Sequence, residues 1–271
     1  MSHLRVRPNL SASPACEVTP ESAGWTYVGF ALRRLAPGET FAAETGTREV
    51  CLTLVSGKAR LEIDGQAFGE IGARTSPFEG EPWAAYVPAG ARYQITATTP
   101  LELAVCSAPG APGYKAKLIP PGMHPQIVRG KGANTRYVTN IMPEDDGSAH
   151  SLLVVEVITP GGNTSSYPPH KHDSDNIPSE SHLEETYYHR FNPPQGFGFQ
   201  RVYTDDRSLD ESILLEDGDV VMVPQGYHPV ATVQGYDNYY LNTMAGPQRV
   251  WKFHNDPRHE WLFTGVGAPK T

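Results

Sequence analysis

The segment Met222-Val-Pro-Gln-Gly-Tyr-His228 repeats the pattern of Tyr86-Val-Pro-Ala-Gly90, and the two prolines stand 136 positions apart. Glu49 and Glu185, each at the start of a strand-like stretch, are separated by the same 136 positions. One such coincidence could arise by chance. Two at one offset, with similar strand patterns between them, indicate a duplicated β-unit.

Short stretches of alternating apolar and polar residues recur through both halves of the chain. They cover residues 50–55, 59–63, 93–97 and 101–105, and then 151–158, 186–191, 197–203, 219–223 and 239–243. Each has the length and pattern of a strand, and 26 glycines and 25 prolines interrupt nearly every apolar run before it reaches helical length. The sequence therefore predicts an all-β protein of the sandwich or barrel type.

A Pro- and Gly-rich stretch at residues 109–125 separates the two predicted units, and a Gly-Lys-Gly turn follows at 130–132. The 271 residues suffice for two modest domains. We expect an N-terminal unit over residues 1–125 and a C-terminal unit over residues 126–271.

Composition narrows the class of partner. The formal net charge is −8, from 30 acidic and 22 basic residues without a basic block, which argues against binding to nucleic acid or an anionic membrane. Cys16, Cys51 and Cys106 show no CxxC spacing, and the chain has neither a signal-peptide pattern nor 18 consecutive apolar residues. We expect a cytoplasmic protein that acts on a small molecule.

A metal-binding pattern lies in the second half. His170 and His172, in Pro168-Pro-His-Lys-His172, would point to the same face of a strand. A carboxylate follows at Glu184 or Glu185, and His228 comes directly after the Val-Pro-Gln-Gly turn. Three imidazole nitrogens and a carboxylate oxygen suit one divalent transition metal, with zinc or manganese favoured and iron, cobalt or nickel as alternatives.

The 136-residue offset favours Glu185 over Glu184 as the ligand, because Glu49 then becomes its partner in the first unit. Strand alternation from Glu185 would also turn Tyr187 and His189 into the same interior. In the first unit the position matching His228 is Arg92, and no histidine occurs between residues 3 and 124. The first unit is therefore predicted to be metal-free.

An HxH pair, a glutamate that opens a strand and a histidine after a Pro-Gly turn together resemble the metal pattern of the cupin superfamily. The members of that superfamily are double-sheet β-barrels of the jelly-roll type. Taken with the internal repeat, the resemblance implies two tandem cupin barrels, of which only the C-terminal barrel binds metal.

The chain also resembles the 5-deoxy-glucuronate isomerases of bacterial myo-inositol catabolism, and more distantly the 4-deoxy-5-keto-uronate isomerases of pectin breakdown. The resemblance covers nearly the whole chain and is strongest in these segments: Ser166-Tyr-Pro-Pro-His-Lys-His-Asp173, Leu183-Glu-Glu-Thr-Tyr-Tyr-His-Arg-Phe191, Gln195-Gly-Phe-Gly-Phe-Gln-Arg-Val-Tyr203, Gly226-Tyr-His-Pro-Val230, Met244-Ala-Gly-Pro247 and Asn255-Asp-Pro-Arg-His-Glu-Trp261. It implies interconversion of 5-deoxy-D-glucuronate and 5-dehydro-2-deoxy-D-gluconate, with His170, His172, Glu185 and His228 as metal ligands.

An aldose–ketose shift needs a group that moves a proton between adjacent carbons. His189 is the predicted proton shuttle, although an imidazole bonded within the barrel wall is the alternative interpretation. Tyr227 and Tyr187 are candidate hydroxyl partners of the substrate. Arg201, and less favourably Lys171, are candidates for binding the substrate carboxylate.

Two other functions fit the same metal pattern: an iron-dependent dioxygenase and a non-catalytic cupin that binds a sugar acid. The polar insert at residues 173–182 is a candidate lid over the site. Apolar strand edges make a homo-oligomer a further expectation.

Overall fold

The computed structural model describes residues 2–264, which are built almost entirely of short strands, as the alternation predicts. The strands of the first half are β1 (Arg5–Val6), β2 (Cys16–Val18), β3 (Gly29–Leu35), β4 (Thr40–Glu44), β5 (Arg48–Ser56), β6 (Ala59–Ile63), β7 (Gln66–Ile71), β8 (Trp83–Val87), β9 (Arg92–Ala97), β10 (Leu101–Pro109) and β11 (Lys117–Ile119). The strands of the second half are β12 (Ile127–Arg129), β13 (Arg136–Met142), β14 (Leu153–Thr159), β15 (Thr164–Ser165), β16 (His170–Lys171), β17 (Asp173–Asn176), β18 (Glu180–His182), β19 (Glu184–Asn192), β20 (Phe197–Tyr203), β21 (Asp210–Glu216), β22 (Val220–Val223), β23 (Val230–Thr232), β24 (Asp237–Ala245) and β25 (His254–Asn255).

Helices are confined to single turns. They are α1 (Pro20–Ala23), α2 (Trp261–Thr264) and two 3₁₀ turns, Gly132–Asn134 and Pro257–His259. Within residues 2–264, none is long and apolar enough to cross a membrane.

Each half forms a barrel from one large and one small antiparallel sheet. In the first half the order β11-β8-β5-β10-β3-β2 stands against β4-β9-β6-β7, and in the second half β1-β22-β19-β24-β14-β13-β12 stands against β15-β23-β20-β21. Apolar side chains fill each barrel, for example Leu54 and Ile95 in the first, and Val202 and Leu215 in the second. The matching strand orders agree with the predicted duplication.

The N-terminal residues depart from the predicted division at residue 125. Strand β1 pairs with β22 of the second barrel, Arg5 opposite Val221 and Val6 opposite Val220. The Arg5 guanidinium lies 2.5 Å from the Asp219 carboxylate, and Leu4 packs in the second core. Residues 5–6 therefore form an edge strand of the C-terminal barrel, although they precede the first barrel in the sequence.

The two large sheets pack face to face and bury a third apolar cluster between the barrels. Phe30 and Cys51 from the first barrel and Tyr188 and Leu241 from the second belong to it. The rings of Phe30 and Tyr188 stack at 5.7 Å. Because this shared core is apolar on both sides, the barrels form one unit.

Two buried carboxylates join the barrels reciprocally. Glu49 accepts hydrogen bonds from the backbone amides of residues 150–152 at 2.7–2.8 Å, and Glu184 accepts from the amides of residues 26–28 at 2.6–2.9 Å. Each amide triplet directly precedes an equivalent strand, β14 or β3, of the opposite barrel. The duplicated unit thus carries the same carboxylate clamp twice.

These clamps show that the predicted pairing of Glu49 with Glu185 in the repeat is wrong. Glu49 faces the barrel interface with Cys51, as Glu184 does with Tyr188, whereas Glu185 faces its own barrel interior with Tyr187. The structural counterpart of Glu49 is therefore Glu184, one residue away from the predicted partner. Since side chains alternate between faces, a shift of one residue exchanges interface for interior. Strand alternation, and not the 136-residue offset, places Glu185 inside.

Candidate metal centre

Two strands and two connecting segments of the C-terminal barrel bring the predicted ligands together. His170 lies on β16, opposite Asn255 of β25, and His172 directly follows that strand. Glu185 lies on the central strand β19. His228 lies two residues after Gly226, which has a φ of 88°. A Cβ at Gly226 would stand 2.5 Å from the Tyr203 carbonyl oxygen, so only glycine allows this tight turn.

The four side chains form one compact cluster. Ligand nitrogens of His170, His172 and His228 all lie within 4.8 Å of one another. Glu185 Oε2 is 3.1 Å from His172 Nε2 and 3.3 Å from His228 Nε2. Glu185 and His172 are 2 % exposed and His228 is fully buried, whereas His170 is half-buried. The cluster is thus closed toward the barrel and open at His170.

Backbone carbonyls fix the protonation of the rings. His172 Nδ1 lies 3.0 Å from the Leu183 carbonyl oxygen, and His228 Nδ1 lies 2.8 Å from that of Gly226. A carbonyl only accepts, so each Nδ1 carries a proton and donates. In a neutral ring the lone pair then lies on Nε2, as in His228, whose Nε2 is directed at the cluster. His172 Nε2 faces Glu185 Oε2 at 3.1 Å and would have to give up a proton to ligate a metal. This second layer of hydrogen bonds is typical of metal-ligating histidines.

The donor set fits a divalent transition metal. His228 Nε2 is buried and has no hydrogen-bond partner among residues 2–264, although a lone pair without a partner is costly inside a protein. Burial lowers the pKa of His228 to about 3 although the charge of Glu185 opposes it, so this ring is neutral. Burial and the neighbouring His172 also lower the pKa of His170. Burial opposes protonation of His172 as well, but its hydrogen bond to Glu185 raises the pKa above its ordinary value. Three imidazoles and a carboxylate are ligands that zinc, manganese and iron accept.

A cavity of about 750 Å³ opens onto His170 and Glu185. Its walls combine polar and aromatic side chains, among them Arg129, Arg136, Ser166, Tyr187, Tyr240, Trp251 and Phe253. The Phe253 ring lies 4.8 Å from that of His170. A volume of this order accommodates a small sugar acid.

Tyr187, one of the predicted substrate contacts, lines this cavity. Its hydroxyl is 3.0 Å from Ser166 Oγ, and its ring packs 5.0 Å from that of Tyr240. Burial, followed by the charge of Glu185, raises the pKa of Tyr187 well above its ordinary value. The phenol therefore remains protonated and can donate a hydrogen bond to a bound molecule.

His189, the predicted proton shuttle, lies behind the cavity wall. It is fully buried, its ring stacks on Tyr187 at 5.9 Å, and its nitrogens contact Asn238 Oδ1 at 3.2 Å and Gln200 Oε1 at 3.4 Å. Alternation along β19 gives the correct face, but His189 lies deeper in the barrel than Tyr187. The structure thus corresponds to the alternative interpretation, an imidazole bonded within the wall.

The buried His189 should make the fold sensitive to acid. Burial lowers its pKa to about 4, below the ordinary 6.5, so the unfolded chain binds this proton more readily than the folded one. The stability it contributes is complete above pH 6.5 and is lost as the pH falls toward 4, by up to about 3 kcal/mol. We expect urea unfolding of H189Q to show a smaller loss between these pH values than the wild type. An identical loss in the two proteins would contradict the assignment.

The other three predicted contacts do not line the cavity. Each is bonded to a nearby acidic side chain: Tyr227 to Asp205 at 2.9 Å, Lys171 to Asp173 at 2.6 Å and Arg201 to Asp210 at 2.6 Å. Lys171 points away from the cluster, as alternation predicts, while the exposed position of Arg201 was not expected. The candidate lid forms a hairpin of β17 and β18, and residues 173–182 do not line the cavity either.

The cavity instead presents cations that the sequence argument missed. Arg129, Lys131 and Arg136 line it, and they flank or belong to the Gly-Lys-Gly turn. The sequence pattern indicated this turn only as a feature that follows the linker at residues 109–125. Three basic residues within eight positions of an otherwise acidic chain could have indicated an anion-binding segment.

Comparisons with known proteins show the family of this chain. The profile of the KduI/IolB family matches residues 4–262. A 5-deoxy-glucuronate isomerase of Geobacillus kaustophilus is 55% identical over 254 residues, which are 93% of this chain and 92% of the relative. These findings confirm the resemblance predicted from the sequence.

Solved structures show the same architecture. An IolB-like protein from Salmonella typhimurium shares 50% identity with a TM-score of 0.94 and matches 97% of this chain and all of its own. The oxalate decarboxylase of Lactobacillus farciminis, at 15% identity and a TM-score of 0.65, matches 97% of this chain and 91% of its own. The latter likeness concerns the fold alone, and it confirms the predicted pair of tandem cupin barrels.

Proposed function

Since the chain belongs to the KduI/IolB family, we propose that it is an isomerase that interconverts 5-deoxy-D-glucuronate and 5-dehydro-2-deoxy-D-gluconate in myo-inositol catabolism. The 55% identity to a 5-deoxy-glucuronate isomerase over 93% of the chain carries the choice of reaction. The cluster of imidazoles and a carboxylate at the end of a cavity supports a metal-dependent site.

The reaction is an aldose–ketose shift. A proton moves between two adjacent carbons through an enediol, and the oxygens on those carbons exchange carbonyl for hydroxyl character. The site must therefore hold both oxygens and stabilise the charge that develops on them. His170, His172, Glu185 and His228 would hold a divalent metal, which would polarise the carbonyl as a Lewis acid.

We propose that Tyr187, which lines the same cavity as Glu185, acts on the reacting oxygens. It lies two residues after Glu185 on β19, faces the same interior, and keeps its proton because burial raises the pKa of the phenol. Ser166 Oγ, 3.0 Å away, orients the hydroxyl. The Tyr187 O–H can thus donate a hydrogen bond to an oxygen of the substrate as charge develops there.

The surroundings limit access of water. His172, Glu185 and His228 are buried, and Tyr240, Trp251 and Phe253 add aromatic walls to the cavity. A sugar that fills this space displaces bulk water from the reacting end. An enediol formed there would be protected from side reactions with solvent.

We expect Y187F to lower kcat by about 100-fold, because a positioned proton donor typically contributes 10²–10⁴-fold. Metal content should remain at the wild-type value, since the ring and its packing are retained. The matched control is Y227F, which removes a hydroxyl bonded to Asp205 outside the cavity and should keep near wild-type turnover. Wild-type kcat in Y187F would show that the hydroxyl takes no part.

The proposed activity is tested by NMR with purified, metal-loaded protein and 5-deoxy-D-glucuronate. The aldehyde and hydrate signals should decline while those of 5-dehydro-2-deoxy-D-gluconate appear, without oxygen consumption. Metal-loaded protein that leaves the sugar unchanged would refute the isomerase. Oxygen uptake that requires ferrous iron would favour the dioxygenase, and binding without turnover would favour the non-catalytic alternative.

A further inference from the structure

The cavity is positively charged although the chain is acidic. Arg129, Lys131 and Arg136 line it, while Glu185 is the single carboxylate among its described lining residues. The chain as a whole has a net charge of −8. Three cations gathered against one acid that belongs to the metal cluster indicate a site for an anion.

Arg136, the first residue of β13, is held in a fixed orientation. Its Nη1 donates to the backbone oxygen of Asn134 at 3.1 Å and to Asn134 Oδ1 at 3.0 Å. The Asn134 amide is in turn anchored to the Tyr167 carbonyl at 2.9 Å. Asn134 thus holds one edge of the guanidinium, which is half-buried in the cavity wall.

The remaining donors of Arg136 have no acidic partner. No carboxylate lies within ion-pair distance of its guanidinium anywhere in residues 2–264, unlike Arg201, which bonds Asp210 with two nitrogens. A half-buried guanidinium without a counter-ion is costly unless a ligand supplies one. Its open edge therefore suits a carboxylate in the bidentate geometry.

The Gly-Lys-Gly turn makes this arrangement sterically feasible. Gly130 has a φ of 77°, and a Cβ there would stand 1.9 Å from the Asn134 carbonyl oxygen and 2.8 Å from Arg136 Nη1. Only glycine allows the turn to pack on both residues. Arg129, directly before the turn, has its guanidinium carbon 6.0 Å from the Trp251 ring centre on the same cavity.

We propose that Arg136, oriented by Asn134 and supported by Arg129, binds the carboxylate of the sugar acid and thereby directs the carbonyl end toward the imidazole cluster. The inference rests on the proposed function for the identity of the sugar acid. It replaces Arg201 and Lys171 as carboxylate ligands, because both are bonded to acids outside the cavity. The anchor would select acidic sugars over neutral ones.

The kinetic test compares 5-deoxy-D-glucuronate with the neutral 5-deoxy-D-glucose. We expect R136Q to lower kcat/KM for the acid by about 10- to 100-fold, mainly through KM, because charge-assisted hydrogen bonds are lost. The value for the neutral sugar should stay within about twofold. R136K, which keeps the charge and nearly the volume, should lose about tenfold for the acid. R201Q is the matched control and should change neither value.

A binding measurement separates this inference from the proposed reaction. D-Glucuronate and D-glucose are titrated calorimetrically into metal-loaded wild type, R136Q and R136K, with metal content measured on the same samples. Weaker binding of glucuronate in the variants, with equal metal content, would support the anchor even if the wild type shows no isomerase turnover. Wild-type affinity for glucuronate in R136Q, or an equal kinetic loss for both sugars, would overturn it.

Discussion

We expect H228A to lose the capacity to bind metal and most of its turnover. His228 is fully buried, its Nε2 points at the cluster without a hydrogen-bond partner among the described residues, and Gly226 fixes its ring. Loss of a residue that merely supports a ligand costs 10- to 100-fold in affinity or activity, so loss of a ligand should lower turnover by more than about 100-fold. Metal content and kcat, measured on the same preparation, check this result.

The matched control for H228A is H254A. His254 is exposed on β25, which pairs with β16 next to His170, but it does not line the cavity. H254A should keep wild-type metal content and turnover. Circular dichroism and thermal melting would verify that H228A is folded. If folded H228A retained a full equivalent of metal and wild-type kcat, His228 would not be a ligand.

We expect E49Q to destabilise the whole chain. Glu49 is fully buried and accepts hydrogen bonds from the three amides of residues 150–152 and from the Tyr86 hydroxyl. A Gln amide removes the charge and points a donor group at other donors, so we expect a loss of about 2–4 kcal/mol in the free energy of unfolding. For a chain of this size that corresponds to a fall in Tm of roughly 5–10 °C.

The reciprocal clamp predicts a matching effect in E184Q. Glu184 accepts from the amides of residues 26–28, and it immediately precedes the proposed ligand Glu185 on β19. We therefore expect E184Q to lower Tm to a similar extent and also to weaken metal binding, which E49Q should affect less. E62Q, at an exposed position on β6, is the control and should change the stability by less than about 0.5 kcal/mol. A Tm for E49Q equal to that of E62Q would refute the clamp.

These clamps give the first barrel a physical role. The first barrel has no histidine in its strands, yet its residues 26–28 hold the start of β19 through Glu184. A ligand is positioned best when the strand that carries it is fixed by surrounding hydrogen bonds. The duplicated barrel thus supports the site without contributing a ligand to it.

Periodicity was sufficient to predict several of the strands and the inward face of β19. The alternating stretches at 59–63 and 197–203 coincide with β6 and β20, and alternation placed Glu185 and Tyr187 inside the barrel. These features depend on local sequence, since one face of each strand is buried. The register of the repeat was wrong by one residue, because the offset between the two halves differs from strand to strand.

Depth and pairing could not be predicted from local patterns. His189 lies on the predicted face, but alternation does not say how far along the strand the cavity extends. Arg201 is neutralised by Asp210 on the neighbouring strand, a partner that only the register of β20 and β21 reveals. Arg129 and Arg136 reach the cavity because β12 pairs with β13 at the edge of the large sheet.

We propose that isomerisation requires one divalent metal, held by His170, His172, Glu185 and His228. The most direct test removes the metal with a chelator and then titrates it back while turnover of 5-deoxy-D-glucuronate is followed. We predict that turnover disappears on chelation and returns in proportion to added metal, with a plateau at one equivalent per chain. Full turnover in protein from which the metal has been removed would contradict the claim.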